Sequence, residues 1–213
     1  MTASTTRRPR RDAARNYQLV VDAARELLEE SGVEASMEQI AARAGVGVGT
    51  VYRSFSCKES LVEELVKTVS DELSAVADRL LADDDGTGLE EFLRVLGRSF
   101  TKHHRWTSLL MPGRPTSEPG KSTIQGQLAR LFQNAHRAGA IGPYTELGDV
   151  MALIWGLRAV AEASGSVAPD AWKRYLDVHL RALRSPDRLS DTPATSEEQL
   201  RRLSSGISRS RGG

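Results

Sequence analysis

The sequence contains little cysteine and no long apolar segment. Among its 213 residues Cys57 is the one cysteine, so a disulfide within the chain is excluded. No apolar run approaches the roughly 20 residues of a membrane-crossing helix, and no apolar stretch of the secretory-signal type follows the arginine-rich start. These absences predict a cytoplasmic protein without a membrane partner. Its 39% hydrophobic residues suffice for a substantial core in one or two domains.

The formal net charge is only +1, which does not exclude nucleic-acid binding. A nucleic-acid binder needs positive charge only where the phosphates lie. Here that charge is concentrated before residue 16, where Asp12 is the one acidic residue among Arg7, Arg8, Arg10, Arg11 and Arg15. Residues 1–15 are expected to form a flexible arm whose arginines, from Arg7 to Arg11, follow a DNA backbone or enter a minor groove. The alternative is a disordered arm that only adds solubility.

The motifs of the common enzyme classes are also missing. The sequence has no G-x-S-x-G, no phosphate-binding glycine loop, no H-E-x-x-H and no C-x-x-C. His103 and His104 are adjacent, and neighbours on a helix point about 100° apart, so they cannot chelate one ion together. We therefore expect no enzyme, no cofactor and no metal site, with an all-helical enzyme as the least favoured alternative.

Apolar residues recur at helical spacing along most of the chain, and no alternating β pattern is present. The periodicity predicts an all-α protein with a first helix around residues 17–28 and further helices around 61–80, 89–100, 124–135, 146–164 and 170–184. Proline and glycine predict a loop over 112–120, and a short helix is possible over 106–111. Residues 185–213 are polar and are expected to form a flexible tail.

Residues 36–61 have the pattern of a helix-turn-helix. Ser36 is positioned to cap a short helix with Gln39 three residues later, and Ile40, Ala41 and Ala44 give that helix one apolar face. Gly45 then supplies a left-handed helix end. Gly47-Val48-Gly49 would let a second helix start in close contact with the first.

The second helix carries Val51, Tyr52 and Phe55 at helical spacing, which leaves Thr50, Arg53 and Ser54 facing outward. Their hydroxyl and guanidinium groups are suited to phosphates or base edges.

These residues resemble the DNA-binding domain of the TetR family of bacterial transcriptional regulators. The matches are A-A-R-A-G-V at 41–46, followed by Thr50, Tyr52, Phe55, Lys58 and Leu61. The resemblance covers about the first third of the chain, and the remainder agrees only in pattern. It implies a DNA-binding domain at 16–62 and a helical effector-binding and dimerisation domain at 63–184.

The resemblance also implies roles for individual residues. The hydroxyls of Tyr52 and Thr50 and the ammonium of Lys58 would hold phosphates, Arg53 would read a guanine or hold a phosphate, and Val48 would touch a thymine methyl. The alternatives are core packing for Tyr52, a solvated charge for Lys58 and a local helix cap for Thr50. The full set of expected DNA-binding residues is Ser36, Val48, Gly49, Thr50, Tyr52, Arg53, Ser54 and Lys58.

The last two helices would pack against their copies in a second subunit as a four-helix bundle, although a monomeric core would give the same apolar stripes. The expected interface comprises Leu153, Leu157, Val160, Trp172, Leu176 and Leu180. An effector would enter a cavity among the middle helices, although aromatic residues at this spacing are also typical of plain core. Its candidate contacts are Phe92, Leu96, Phe100, His103, Trp106, Met111, Phe132, Met151, Trp155 and Arg158.

The resulting functional prediction is a repressor that binds a palindromic double-stranded DNA operator as a homodimer and is released by a small, largely apolar effector. A transcriptional activator is the alternative, as is a redox-responsive regulator of the same fold. The redox alternative depends on Cys57, a thiol expected at a helix start beside Lys58. Because cysteine caps helices poorly, capping there is expected to pass to Ser56 and Glu59.

Overall fold

The computed structural model describes residues 8–83, 85–103, 105–106, 124–196, 198–199 and 202. Within these residues the chain forms eight α-helices and no strand, which confirms the all-α prediction. The helices are α1 (Arg8–Ser31), α2 (Met37–Ala44), α3 (Val48–Ser54), α4 (Lys58–Ala82), α5 (Gly88–Lys102), α6 (Ile124–Arg137), α7 (Leu147–Ser164) and α8 (Ala171–Leu183), with a 3-10 turn at Gly32–Glu34.

Helix α1 begins earlier than the sequence pattern predicts. It starts at Arg8, so the backbone of residues 8–15 is helical where a flexible arm is expected. The segment favours a helix because alanine and arginine are good helix formers and Pro9 falls in the first turn, where proline is tolerated. Arg7 lies outside the described residues, as do the side chains of residues 8–11.

The segment after α8 is also more closely packed than a free tail would be. Residues 185–196 contain no helix, yet the carbonyl oxygen of Thr195 would lie 2.3 Å from a Cβ placed on Gly148 in α7. The polypeptide therefore runs directly against the backbone of α7. The predicted loop at 112–120, the short helix expected up to Met111, and residues 203–213 lie outside the described residues.

The chain divides into two compact units, one up to Val69 and one from Ser70 onward, and α4 contributes to both. In the first unit α1 packs on α2 and α3. Its core contains Val20, Ala24, Leu28 and Ile40, each of them almost completely buried.

In the second unit α5 packs against α6, α7 and α8, and α7 packs against α8. Gly97 allows one of these contacts, because a Cβ there would lie 2.2 Å from the indole ring of Trp172. At the surface the guanidinium of Arg94 bridges the carboxylates of Glu90 in α5 and Asp177 in α8, at 2.9 Å each.

This core corrects the expected subunit interface. Leu157 has no exposed surface, and four other expected interface residues are also buried in the core of their own chain, so they are not available to a partner. The monomeric alternative explains their apolar stripes. Val160 alone of the expected set is half-buried; the five buried residues are Leu153, Leu157, Trp172, Leu176 and Leu180.

No helix in the described part of the chain is both long enough and apolar enough to cross a bilayer.

Candidate nucleic-acid interface and inner cavity

Helix α2 has the start and the end that the sequence predicts. The Ser36 hydroxyl accepts the backbone N–H of Gln39 at 3.2 Å, and the Gln39 side chain accepts the backbone N–H of Ser36 at 2.8 Å. Gly45 ends the helix in the left-handed conformation, with φ 66° and ψ 30°. The N–H of Val46 then bonds the carbonyl of Ala41 at 3.1 Å, which fixes the direction of the turn into α3.

Gly47 and Gly49 do not allow the close contact between α2 and α3 that the sequence analysis expected. A Cβ on Gly47 would have the Thr50 hydroxyl 4.0 Å away as its nearest neighbour, and a Cβ on Gly49 would meet nothing within 4 Å. Gly47 precedes α3 in an extended conformation, and Gly49 lies on the exposed side of α3. The absence of a side chain therefore leaves room outside the protein rather than between α2 and α3.

The residues of α3 divide sharply into a buried side and an exposed side. Val51 is 0% exposed and Phe55 is buried, whereas Tyr52 is 47% exposed and Val48 is exposed as well. The alternative of core packing for Tyr52 is therefore wrong. The buried side chains hold α3 against the rest of the unit, so its other side faces the solvent.

Two outward side chains of α3 bond to their own helix. The Arg53 guanidinium donates to the Gly49 carbonyl at 3.1 Å and to the Thr50 hydroxyl at 3.3 Å. The Ser54 hydroxyl donates to the Thr50 carbonyl at 3.2 Å. Thr50 is the third residue of α3 and Gly47 is its N-cap, so the alternative of a capping role for the Thr50 side chain is also wrong.

Glu38 is a member of this surface that the sequence analysis missed. Its own backbone N–H, the hydroxyl of Ser36 and, more weakly, the hydroxyl of Tyr52 hold the pKa of the Glu38 carboxyl below its ordinary value. The carboxylate therefore lies close to two hydroxyls that were assigned to DNA. An acidic residue in the first turn of a helix is usually explained by the helix dipole alone, so the sequence pattern contains no further signal for Glu38.

Helix α4 begins at Lys58, the position expected for a phosphate contact. The Ser60 hydroxyl accepts the N–H of Cys57 at 3.4 Å and donates to its carbonyl at 2.7 Å. Ser60 therefore bonds the backbone at this helix start, instead of the capping pair of Ser56 and Glu59 that was expected. The thiol of Cys57 is exposed.

Tyr17 joins α1 to both α3 and α4 beneath this surface. Its ring stacks on that of Phe55 with the centroids 5.1 Å apart. Burial, followed by a hydrogen bond to Glu64 and the charge of that carboxylate, raises the pKa of Tyr17 to about 12. The phenol therefore remains a neutral donor across the physiological range and holds the C-terminal end of α3 in register with α4.

Arg43 lies near the matched turn but is engaged elsewhere. Its guanidinium pairs with the carboxylates of Glu30 at 2.7 Å and Glu26 at 3.3 Å, both on α1. These pairs raise the pKa of Arg43 above its ordinary value. Arg43 therefore ties α2 to α1, and this part of the surface adds no unpaired positive charge.

In the second unit, four of the expected effector contacts surround one small cavity. Its volume is about 50 Å³, below the roughly 300 Å³ at which small-molecule sites begin. The four are Phe92, Leu96, Phe100 and Met151; the sequence analysis missed the other lining residues, Ser70, Leu73, Ile124, Gln125, Leu128 and Ile154.

The remaining expected effector contacts lie elsewhere. The His103 and Trp106 rings are buried against each other with centroids 4.7 Å apart, and Phe132 faces His136 at 6.0 Å. Trp155 and Arg158 do not line the cavity either; its lining from α7 consists of Met151 and Ile154. Met111 lies outside the described residues.

Gln127 links two walls of this cavity. It is completely buried on α6, and its amide nitrogen donates to the Asp78 carboxylate at 2.7 Å and to the Ser74 carbonyl at 3.1 Å, both on α4. Its amide oxygen accepts from the Ser74 hydroxyl at 3.0 Å. A buried amide with every contact satisfied holds α6 on α4 in one register.

Comparison with known proteins agrees with a helix-turn-helix in the N-terminal unit. The profile described as "Bacterial regulatory proteins, tetR family" matches residues 20–65. An HTH-type transcriptional regulator of Staphylococcus aureus strain MRSA252 is 27% identical over 61% of this chain and 74% of its own length. A second such regulator, from strain USA300, is 45% identical over 24% of this chain and 29% of its own.

A solved structure extends the likeness beyond the N-terminal unit. The TetR transcription regulatory protein from Mycobacterium vanbaalenii is 28% identical, covers 83% of this chain and 99% of its own, and superposes with a TM-score of 0.58. These relatives are transcriptional regulators and not enzymes. Residues 20–65 therefore carry a helix-turn-helix that matches the DNA-binding domain of the TetR family of bacterial transcriptional regulators.

Proposed function

We propose that the protein is a repressor that acts in the cytoplasm, binds a two-fold symmetric DNA operator as a homodimer and is released by a small, largely apolar effector. The observation that carries this proposal is the outer side of α3. It combines an exposed phenol, a guanidinium and an unobstructed glycine on a helix that is fixed from beneath by Val51 and Phe55. That combination suits a recognition helix in a major groove.

In the proposed complex, Tyr52 and Lys58 hold phosphates and Arg53 reads a guanine. Tyr52 exchanges the Glu38 carboxylate for a phosphate oxygen, and Arg53 exchanges the Gly49 carbonyl and the Thr50 hydroxyl for base acceptors. Both groups are thus already oriented by weaker internal partners. Val48 is exposed for contact with a thymine methyl, and Gly49 lets the backbone approach the groove closely.

Gel-shift titration at several salt concentrations tests these roles. Tyr52→Phe and Lys58→Ala are expected to weaken binding to all sequences about fivefold each, and Lys58→Ala also to reduce the salt slope by about one. Lys67→Ala is the matched control, because Lys67 is an exposed lysine further along α4. Arg53→Ala is expected to change sequence preference instead. Unchanged affinity in both phosphate variants would refute the assignment.

The proposed subunit interface uses the outer sides of α7 and α8. Ala159, Val160 and Ala163 follow one another at helical spacing on α7, with the two alanines exposed, and Val178 on α8 is 54% exposed. Small residues allow helices of two subunits to approach closely, as a four-helix bundle requires. Light scattering on the unmodified protein is the direct test, and a monomer at micromolar concentration would contradict the dimer.

The proposed effector binds at the inner cavity and must enlarge it. Ile124, Gln125 and Leu128 of α6 face Ser70 and Leu73 of α4 across the gap, so enlargement separates the helices that Gln127 holds together. The helix α4 that lines the cavity begins at Lys58, which is one of the proposed phosphate contacts. A shift of α4 therefore provides a route from the cavity to the DNA contacts. The expected loss of operator affinity is about 5- to 150-fold, for a coupling of about 1 to 3 kcal/mol.

A thermal-shift screen of apolar metabolites, followed by operator titration with each hit, tests this step. Phe100→Ala is expected to alter effector affinity while leaving DNA binding without effector close to normal. Hits that bind but never change operator affinity would refute regulation through this cavity. Selection of bound fragments from genomic DNA would separately give the operator and its symmetry, and their position relative to promoters would separate a repressor from an activator.

A further inference from the structure

A cleft in the second unit lies away from the inner cavity and has a volume of about 510 Å³. We call it the C-terminal cleft; it is bounded by residues 144–153, residues 175–183 and the segment 185–194 that follows α8. Its volume falls within the range of about 300–1,000 Å³ that is typical of small-molecule sites. The inner cavity, by comparison, measures about 50 Å³.

The segment 185–194 is held at both ends. Near its start, the N–H of Gly142 donates to the Leu183 carbonyl at 2.7 Å, and the Thr145 hydroxyl donates to the same oxygen at 2.8 Å. A Cβ on Gly142 would lie 1.9 Å from the carbonyl oxygen of Ser185. At the far end, the carbonyl of Thr195 lies against Gly148. The polypeptide between these two contacts passes over the ends of α7 and α8 and encloses the cleft.

Aromatic rings and carboxylates share the walls of the cleft. The Tyr175 and His179 rings lie 4.0 Å apart, and burial raises the pKa of the Tyr175 phenol. Gly156 allows this position of the phenol, since a Cβ there would be 1.9 Å from its hydroxyl oxygen. Apolar surface comes from Ala152, Leu153 and Leu189. Four carboxylates oppose one guanidinium, that of Arg188: Glu146, Asp149, Asp187 and Asp191.

The one guanidinium in the lining already occupies an aromatic face. The Arg188 guanidinium lies over the ring of Tyr144, 5.6 Å from its centroid, and Tyr144 is 55% exposed. This cation–π contact shows that the ring at the entrance accepts a positive charge in this geometry. Arg188 is exposed and is carried by the segment that encloses the cleft, so a bound cation can take its place.

From the enclosure, the aromatic walls and the excess of carboxylates, we propose that the C-terminal cleft binds a small organic cation with an apolar body. The ammonium group lies over Tyr144, near the carboxylates of Asp187 and Asp191, and the body lies against Leu153 and the ring of Tyr175. This site is separate from the inner cavity and does not depend on the proposed repressor function.

Calorimetry on the full chain tests the proposal with benzyltrimethylammonium as the probe. Benzyl alcohol is the neutral comparison and benzenesulfonate the anionic one. The cation is expected to bind saturably, to bind more weakly as salt rises, and to bind more tightly than either comparison compound. Absence of saturable binding of the cation, or equal binding of the anion, would overturn the proposal.

Three variants separate this site from nonspecific attraction. Arg188→Gln is expected to tighten cation binding about 2- to 5-fold, because it removes an internal competitor and a like charge. Asp191→Asn and Tyr144→Ala are expected to weaken it by a similar factor. Asp71→Asn, the same change at an exposed position of α4, is the matched control and is expected to leave it unchanged.

The sign of the Arg188→Gln effect decides the outcome if Tyr144→Ala fails to fold. Weaker or unchanged binding in Arg188→Gln would overturn the proposal, and so would an equal loss in Asp71→Asn. Light scattering on the same samples records the oligomeric state, since Ala152 and Ala182 of the lining lie next to the proposed subunit interface. A dimer that binds no probe would mean that a second copy closes the cleft, which would also overturn the proposal.

Discussion

Gly49 and Gly97 are both helical glycines, one in each unit, and their surroundings are opposite. A Cβ on Gly49 would meet nothing within 4 Å, whereas a Cβ on Gly97 would lie 2.2 Å from the buried ring of Trp172. The second glycine is required by the protein's own packing. The first is not, which supports the proposed close approach of a DNA groove at this position. The outer side of α3 thus leaves space open beside its glycine, whereas the corresponding space in α5 is filled by Trp172.

Aspartate at neighbouring positions of α7 gives the largest expected effects. Leu157→Asp places a carboxylate where the chain leaves no exposed surface, and the cost of several kcal/mol is expected to unfold the C-terminal unit. Ala159→Asp places the same group on the exposed side and is expected to yield a folded monomer. Circular dichroism with light scattering distinguishes the two. A folded Leu157→Asp protein would refute the assignment of Leu157 to the core.

Alanine substitution at Gly97 and at Gly49 tests whether the protein's own packing requires each glycine. Gly97→Ala is expected to lower the free energy of unfolding by about 1 to 3 kcal/mol, because Trp172 is buried and cannot move aside easily. Gly49→Ala is expected to raise it by about 0.5 to 1 kcal/mol while weakening operator binding. Urea denaturation and gel shifts measure the two quantities. If Gly49→Ala left operator affinity intact, close approach of DNA at this glycine would be refuted.

Glu38→Gln is expected to have the smallest effect. It removes a negative charge from the proposed phosphate surface and weakens the hold on the Tyr52 hydroxyl, so operator affinity is expected to rise about 2- to 5-fold at low salt. Glu34→Gln, an exposed acid ahead of α2, is the matched control. If the two substitutions raised operator affinity equally, the cause would be the loss of a negative charge in general and not the release of Tyr52.

The unmodified protein should show a related pH dependence. Because the pKa of Glu38 is lowered in the fold, its carboxylate is charged at neutral pH, and its stabilising bonds are fully present above the ordinary value of 4.5. They are lost only as the pH falls through the lowered value. Operator affinity between pH 6 and pH 8 should therefore show no contribution from Glu38 titration.

The sequence predicted the helix-turn-helix better than the interior of the second unit, for a physical reason. The start of α2 at Ser36 and its end at Gly45 depend on local backbone chemistry, which a few adjacent residues determine. Whether Phe92 or Trp155 faces a cavity depends on helices far apart in the sequence. Periodicity identifies an apolar side of α7, yet it cannot distinguish the interior of one chain from the interface between two. Leu157 and Val160 were assigned together for that reason.

Glu38 and Gln127 show what periodicity misses altogether. Glu38 interacts mainly with its own backbone N–H and with Ser36 at the start of its helix, whereas Gln127 bonds to another helix, and neither interrupts an apolar pattern in a way that signals its partner. Gln127 occupies a core position that the pattern would give to an apolar residue. Only the positions of Ser74 and Asp78 explain its presence.

The hydrogen bonds of Arg53 to its own helix have a kinetic consequence. In the proposed mode of DNA binding, while its guanidinium is held by the Gly49 carbonyl and the Thr50 hydroxyl, α3 meets the duplex without an extended cation that would bind each base pair it passes. Contacts to phosphates alone permit sliding along the duplex. Release of Arg53 becomes favourable only where a guanine offers two acceptors at once. We therefore expect the arginine to slow departure from the operator much more than it slows the search for it.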